Sequence, residues 1–138
     1  MYCVGECERN PGDGKGFTMI KRKEDIQGNE LTNFKGGTGY VTVFNFLTEQ
    51  EARGAGRAFS KTVIEPGNSI GTHTHEGDME TYYILKGKAL MSDNGNEVVL
   101  EPGDCQICPD GQSHFIKSVG EEPLEYISLI LYTKQKAV

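Results

Sequence analysis

Residues 67–87 read GNSIGTHTHEGDMETYYILKG, and residues 103–114 read GDCQICPDGQSH. As spacings, these are Gly67-x5-His73-x-His75-x4-Glu80-x6-Gly87 and Gly103-x5-Pro109-x-Gly111-x2-His114. All three histidines of the chain fall within them. A chain that keeps imidazole nowhere else points to coordination as its use. On a strand, residues two apart share a face, so His73 and His75 project together. Glu80 follows the turn-like Glu76-Gly77-Asp78, and His114 follows Pro109-Asp110-Gly111. Three neutral imidazoles and one carboxylate suit a borderline divalent metal: Mn, Fe, Co, Ni or Zn. Four protein ligands on an octahedral ion leave two positions open, as a catalytic centre needs.

Outward from these motifs, the chain reads as a succession of short strands. Tyr40–Leu47 alternates β-branched and aromatic residues. Thr48–Arg53 reads as one helical turn, with Thr48 as N-cap and Glu51 completing a capping box. Further strands are expected near Arg57–Ile64, Ser69–His75, Thr81–Leu85, Lys88–Ser92, Glu97–Leu100, Cys105–Cys108, His114–Val119 and Leu124–Tyr132. Asn94-Gly95 is a type I′ hairpin signal. The tripeptide Glu-Pro-Gly occurs at 65–67 and again at 101–103, each time just ahead of a motif. Proline lacks the N–H that a central strand needs, so both are breaks. The repetition suggests two halves built alike. No helical pattern separates the strands, which favours a sandwich or barrel over a βαβ fold.

Residues 1–37 read as an N-terminal arm and connection, with one strand expected at Phe17–Lys23 and a flexible polar stretch over 24–39. Residues 38–138 read as the barrel domain. The 138 residues, 18 glycines and net charge of −6 suit one all-β domain and argue against a nucleic-acid partner. The basic run Lys21-Arg22-Lys23 is followed at once by Glu24 and Asp25. No apolar run approaches the ~18 residues of a membrane span, and residues 1–16 lack a secretory h-region. A cytoplasmic location is the expectation, with the four cysteines as thiols. Cys105 and Cys108 are three apart, which on a strand turns them to opposite sides. Buried thiols therefore account for the cysteines better than a zinc site built with Cys3 and Cys7.

The paired motifs match those of the cupin superfamily at every spacing, and over residues 40–132 the chain resembles a small single-domain cupin. The resemblance implies a double-stranded β-helix, the cupin jelly-roll barrel. It also implies His73, His75, Glu80 and His114 as metal ligands at the barrel mouth, and a homodimer. One departure is Ser118, where the second motif usually ends in Asn. The glycine-rich entry Gly36-Gly37 and the phrase Glu80-Thr81-Tyr82-Tyr83-Ile84-Leu85 are similar to bacterial oxalate-decarboxylase-like cupins. That likeness implies Mn and a small anionic carboxylate held at an open metal position.

Other residues are candidates for the surrounding chemistry. Tyr82 shares strand parity with Glu80 and is placed to face a cavity. Asp78 and Glu76 lie between the ligands as candidate acids or bases. Arg57, Phe59 and Lys61 share a face of the strand before the first motif, and Arg57 can bind a carboxylate bidentately. A metal-dependent lyase acting on a small carboxylate is the first expectation. An Fe-dependent dioxygenase, a sugar isomerase or epimerase, and a non-catalytic small-molecule binding cupin are the alternatives on the same site.

Overall fold

The computed structural model describes residues 19–134. Ten strands and one helical turn follow in order: β1 (Gly28–Thr32), β2 (Tyr40–Asn45), α1 (Glu49–Ala52), β3 (Gly56–Ile64), β4 (Ser69–Thr74), β5 (Asp78–Lys86), β6 (Ala89–Asp93), β7 (Asn96–Leu100), β8 (Cys105–Cys108), β9 (Ser113–Ser118) and β10 (Leu124–Tyr132). They form a six-stranded sheet, β1-β2-β3-β10-β5-β8, and a four-stranded sheet, β4-β9-β6-β7. Every pairing is antiparallel. The two sheets make a jelly-roll barrel. Among the described residues, no helix is long and apolar enough to cross a membrane.

The two Glu-Pro-Gly breaks take the same backbone form. Asn68 N–H reaches the Glu65 carbonyl at 3.0 Å, and Asp104 N–H reaches that of Glu101 at 2.9 Å. Gly67 and Gly103 sit at φ +86° and +96°. These are turns with proline second and a left-handed glycine third. One launches β4 and the other β8, so each sheet receives one. The α1 turn has its capping box, with Thr48 Oγ1 accepting from Glu51 N–H at 3.0 Å.

The strand expected at Phe17–Lys23 begins outside the described residues, and its described part, from Met19 on, carries no strand. The strand of this region is instead β1, within the stretch expected to be a flexible connection. It pairs with β2, Gly28 opposite Phe44 and Thr32 opposite Tyr40. Composition hid it: Gly-Asn-Glu-Leu-Thr has low strand propensity and a single apolar residue. Register and packing on β2 override propensity here. A Cβ on Gly28 would lie 2.8 Å from both the Phe44 ring and the Thr42 methyl, so the glycine belongs to the pairing.

The barrel interior is divided along its length. At one end Val41, Ile64, Ile84, Ala89, Met91, Ile116 and Leu124 are fully buried and form a continuous apolar core. Toward the other end the inward positions turn polar. Ser60 and Thr62 on β3, Glu80 on β5, His114 on β9 and Ser128 on β10 are all buried. Buried polar groups cost free energy unless they are partnered, so this end must supply its own network or bind something.

Candidate metal centre

His73 lies on β4, Glu80 on β5 and His114 on β9, with His75 just past the end of β4. His73 and His114 are opposite each other in the β4–β9 ladder. His75 is held past that end by two backbone bonds: its N–H donates to the Gln112 carbonyl at 3.0 Å, and its carbonyl accepts from Gly111 N–H at 2.6 Å. His75 and His114 are each 2% exposed, and Glu80 is 6% exposed. One donor atom from each of the four residues falls in a group spanning at most 4.8 Å.

All three imidazoles present the same nitrogen inward. His73 Nδ1 donates to the Gly71 carbonyl at 2.8 Å, because a carbonyl can only accept. His75 Nδ1 lies 2.7 Å from Asp78 Oδ1. Burial alone would raise the Asp78 pKa, but the Arg57 and His75 hydrogen bonds overcome it and hold the carboxyl below its ordinary range, so His75 donates. His114 Nδ1 lies 2.9 Å from Gln106 Oε1, whose amide is oriented by its own donation to the Ser92 carbonyl at 2.6 Å. Each neutral ring therefore carries its proton on Nδ1 and aims a bare Nε2 lone pair at the centre.

The central distances suit a divalent ion. His75 Nε2 to His114 Nε2 is 3.1 Å, and His114 Nε2 to His73 Nε2 is 3.0 Å. Glu80 Oε1 lies 3.2 Å from His75 Nε2, 3.0 Å from His114 Nε2 and 3.9 Å from His73 Nε2. Metal bonds of about 2.1 Å at right angles put donors about 3.0 Å apart, and opposed bonds put them about 4.2 Å apart. Four contacts of 3.0–3.2 Å and one of 3.9 Å fall between these separations, as donors sharing one ion would. Lone pairs this close repel unless a cation or shared protons lie among them.

The protonation tendencies agree. Burial would raise the Glu80 pKa, but hydrogen bonds from His114, His75 and Ser128, with His73 close by, hold it well below the carboxylate range. His75 is raised by its bond to Glu80, against burial, with Asp78 adding to the rise. His114 is lowered, chiefly by burial. Protons shared among these groups relieve the crowding of their lone pairs.

Around the ligands opens a cavity of about 700 Å³. Arg57 and Tyr82 line it. Arg57 Nε donates to Asp78 Oδ2 at 2.7 Å. Arg57, Asp78 and His75 thus form a chain of contacts ending at the metal position. Tyr82 is 2% exposed and stacks on His114, ring centroids 5.1 Å apart. Burial pushes its hydroxyl well above the usual tyrosine range, so it keeps its proton. Tyr83 faces outward and is 48% exposed. Glu76 is exposed and does not line the cavity. Neither do Phe59 and Lys61. Phe59 packs edge-on against Phe46, and Lys61 lies over the Phe44 ring and 3.9 Å from Glu125. On β3 the cavity-facing set is Ala58, Ser60 and Thr62, and Arg57 reaches the cavity from beside a bulge between β3 and β10.

Several contributors carry no motif. Ser128 Oγ donates to Glu80 Oε2 at 2.5 Å, which fixes the carboxylate. A serine amid the inward Leu124, Tyr126 and Ile130 was the available signal. Gln106 sits inside the second motif, yet its role needs β8 placed behind β9. Glu30, Leu31, Phe34 and Lys35 form a cavity wall from the segment that carried no signal. Cys105 and Cys108 are free thiols opposite Tyr83 and Glu80, facing different sides. Burial raises Cys108 to about 11.

The comparisons with known proteins agree with this geometry. The cupin-domain pattern matches residues 60–130. An oxalate-binding protein of Thermotoga maritima is 34% identical over 117 residues, covering 85% of this chain and 97% of that protein. The crystal structure of a predicted oxalate decarboxylase, also from Thermotoga maritima, superposes with a TM-score of 0.79 at 34% identity, covering 83% of this chain and 99% of the other. An oxalate decarboxylase of Bacillus subtilis is 26% identical over 77 residues, 52% of this chain but 20% of that longer protein. The fold, the paired motifs and these matches together show that the chain belongs to the cupin family.

Proposed function

We propose that the protein holds a divalent metal, Mn first, through His73, His75, Glu80 and His114, and binds a small carboxylate at that metal. The single observation that carries this is the set of three Nε2 lone pairs and one ionised carboxylate oxygen converging at 3.0–3.9 Å. The similarity to an oxalate-binding protein supports oxalate or a close relative as the ligand. When bound, the metal supplies charge and Lewis acidity that hold a carboxylate through one or two oxygens.

The chain's own residues have separable roles in this reading. Asp78 and Gln106 orient His75 and His114, and Ser128 orients Glu80. Arg57 spends its Nε on Asp78, which leaves its terminal nitrogens for an anion at the cavity. Decarboxylation, the proposed activity, needs a proton delivered near the ligand. Tyr82 and Glu30 both line the cavity. Tyr82 holds its proton tightly, which makes it a hydrogen-bond donor more than an acid. Non-catalytic binding is the second reading, favoured by the name of the Thermotoga relative. A homodimer belongs to the same proposal: Phe59, Tyr83 and Ile107 are 39%, 48% and 62% exposed on the six-stranded sheet.

Elemental analysis of protein purified without chelators, followed by calorimetric titration with oxalate, tests the reading. About one divalent metal per chain is expected, with oxalate binding lost in His73→Ala. Absence of both metal and oxalate binding sinks the proposal. Release of carbon dioxide from oxalate selects the lyase; tight binding without turnover selects the binding module.

A further inference from the structure

The cavity is far larger than oxalate needs. At about 700 Å³ it falls within the range of sites that enclose drug-sized molecules. Two carboxylates joined directly would fill a small part of it. Its lining is also mixed. His73, His75, Glu80 and Arg57 contribute polar groups, and Leu31, Phe34, Val43 and Ile70 contribute an apolar surface, edged by Glu30 and Asn45. Leu31, Phe34 and Val43 are only partly buried and pack on the core cluster from the cavity side.

This apolar wall is tied to the metal site. Phe34 begins a tight turn between β1 and β2, with Asn33 and Lys35 at φ +50° and +55°. Left-handed backbone at two non-glycine residues is costly and persists where the surroundings impose it. The imposing contact is with β4: a Cβ on Gly71 would sit 2.1 Å from the Lys35 carbonyl oxygen. Gly71 in turn gives its own carbonyl to His73 Nδ1. Gly71 thus touches both the turn that carries Phe34 and the ring of His73.

We infer that the ligand is a chelating carboxylate, a 2-hydroxy or 2-oxo acid, carrying an aryl or branched alkyl substituent that lies against Phe34 and Leu31. This rests on the metal–carboxylate reading above. The acid head group takes the polar side, and the substituent removes apolar wall from water. A second carboxylate pressed against the side chains of Leu31 and Phe34 would lose hydration that those two residues cannot replace. Lys35, whose Nζ lies 5.4 Å from the Phe34 ring centroid, and the amides of Asn29 and Asn45 at the cavity edge offer such partners, so a longer dicarboxylate is the competing occupant.

Calorimetry on the Mn-loaded protein with lactate, 3-phenyllactate, malate and oxalate decides. Lactate and 3-phenyllactate share a head group and differ in the tail. The expected result is 3-phenyllactate binding at least about tenfold tighter than lactate, the scale of burying one aromatic face. Phe34→Ala should collapse that ratio. Val43→Phe, which fills the wall without removing core, should collapse it too and serves if Phe34→Ala does not fold. A ratio near one in the wild type, or malate binding more tightly than 3-phenyllactate, overturns the inference and leaves the carboxylate reading standing, provided oxalate still binds in a His73-dependent way. Failure of all four acids to bind the loaded protein overturns both.

Discussion

At the level of single residues, the proposed centre consists of four candidate ligands and the groups that aim them. Removing an aiming group typically costs 10–100-fold in metal affinity without removing a ligand. Gln106→Leu leaves His114 Nδ1–H without its acceptor and frees the ring to rotate. We expect its metal affinity to fall by that factor, read by competition with a chromogenic chelator; an unchanged value would show that stacking on Tyr82 suffices to hold the ring. Acidity should act through His75. Its pKa is raised above 6.5 by Glu80 and Asp78, so in the metal-free protein it holds a proton to higher pH than an ordinary histidine. Metal needs the neutral ring, and affinity should therefore begin to fall as pH drops through a window above 6.5. His114, lowered by burial, competes later. Asp78→Asn removes part of the cause and should move the onset to lower pH, measured from metal occupancy against pH. The convergence of His73, His75, Glu80 and His114 is readable from spacing, because coordination demands particular residue types at particular separations. Ser128 and Gln106 were not, because a serine or glutamine acquires its role only when a distant strand is set beside it.

At the level of elements, the two proline–glycine turns and most strand limits follow from local chemistry. Asn94-Gly95, at φ +50° and +88°, is the turn its residues require. β1 is the opposite case, a strand imposed by pairing with β2 on a segment with little strand character of its own. Its consequence for the site is testable at Gly71. Gly71→Ala places a methyl group 2.1 Å from the Lys35 carbonyl oxygen. Backbone cannot yield as a side-chain tip does, so a loss of about 1–3 kcal/mol is expected. Thermal unfolding measures the loss. Hydrogen exchange should show reduced protection of residues 28–37 before the core. A variant as stable as the wild type would mean the turn moves off β4 without cost. Arg57, Phe59 and Lys61 show the limit of counting by twos. The three were grouped from their spacing, yet small polar side chains occupy the inward positions of β3, and the bulge beside Gly56 is what brings Arg57 to the cavity.

For the whole molecule, the division of the barrel into an apolar end and a polar end separates stability from function. The polar end is stable on its own terms only while its lone pairs are neutralised. Stripping the metal with chelator should lower the unfolding temperature by several degrees, by mass action on a folded state that alone presents the site. Re-addition of Mn should restore it; no shift with any divalent ion would count against the centre. The outer face of the six-stranded sheet carries the proposed dimer contact. Light scattering should give twice the chain mass, and Ile107→Glu should halve it. A wild-type monomer removes that part of the proposal.

The three imidazoles differ in what holds their outer nitrogens: main chain for His73, an amide for His114 and a carboxylate for His75. A main-chain carbonyl is present whatever residue occupies the position, so the first ring is sheltered from drift. The other two can be retuned by a single codon change without losing a ligand. Variation in metal preference among descendants of this chain should therefore enter through positions 78 and 106.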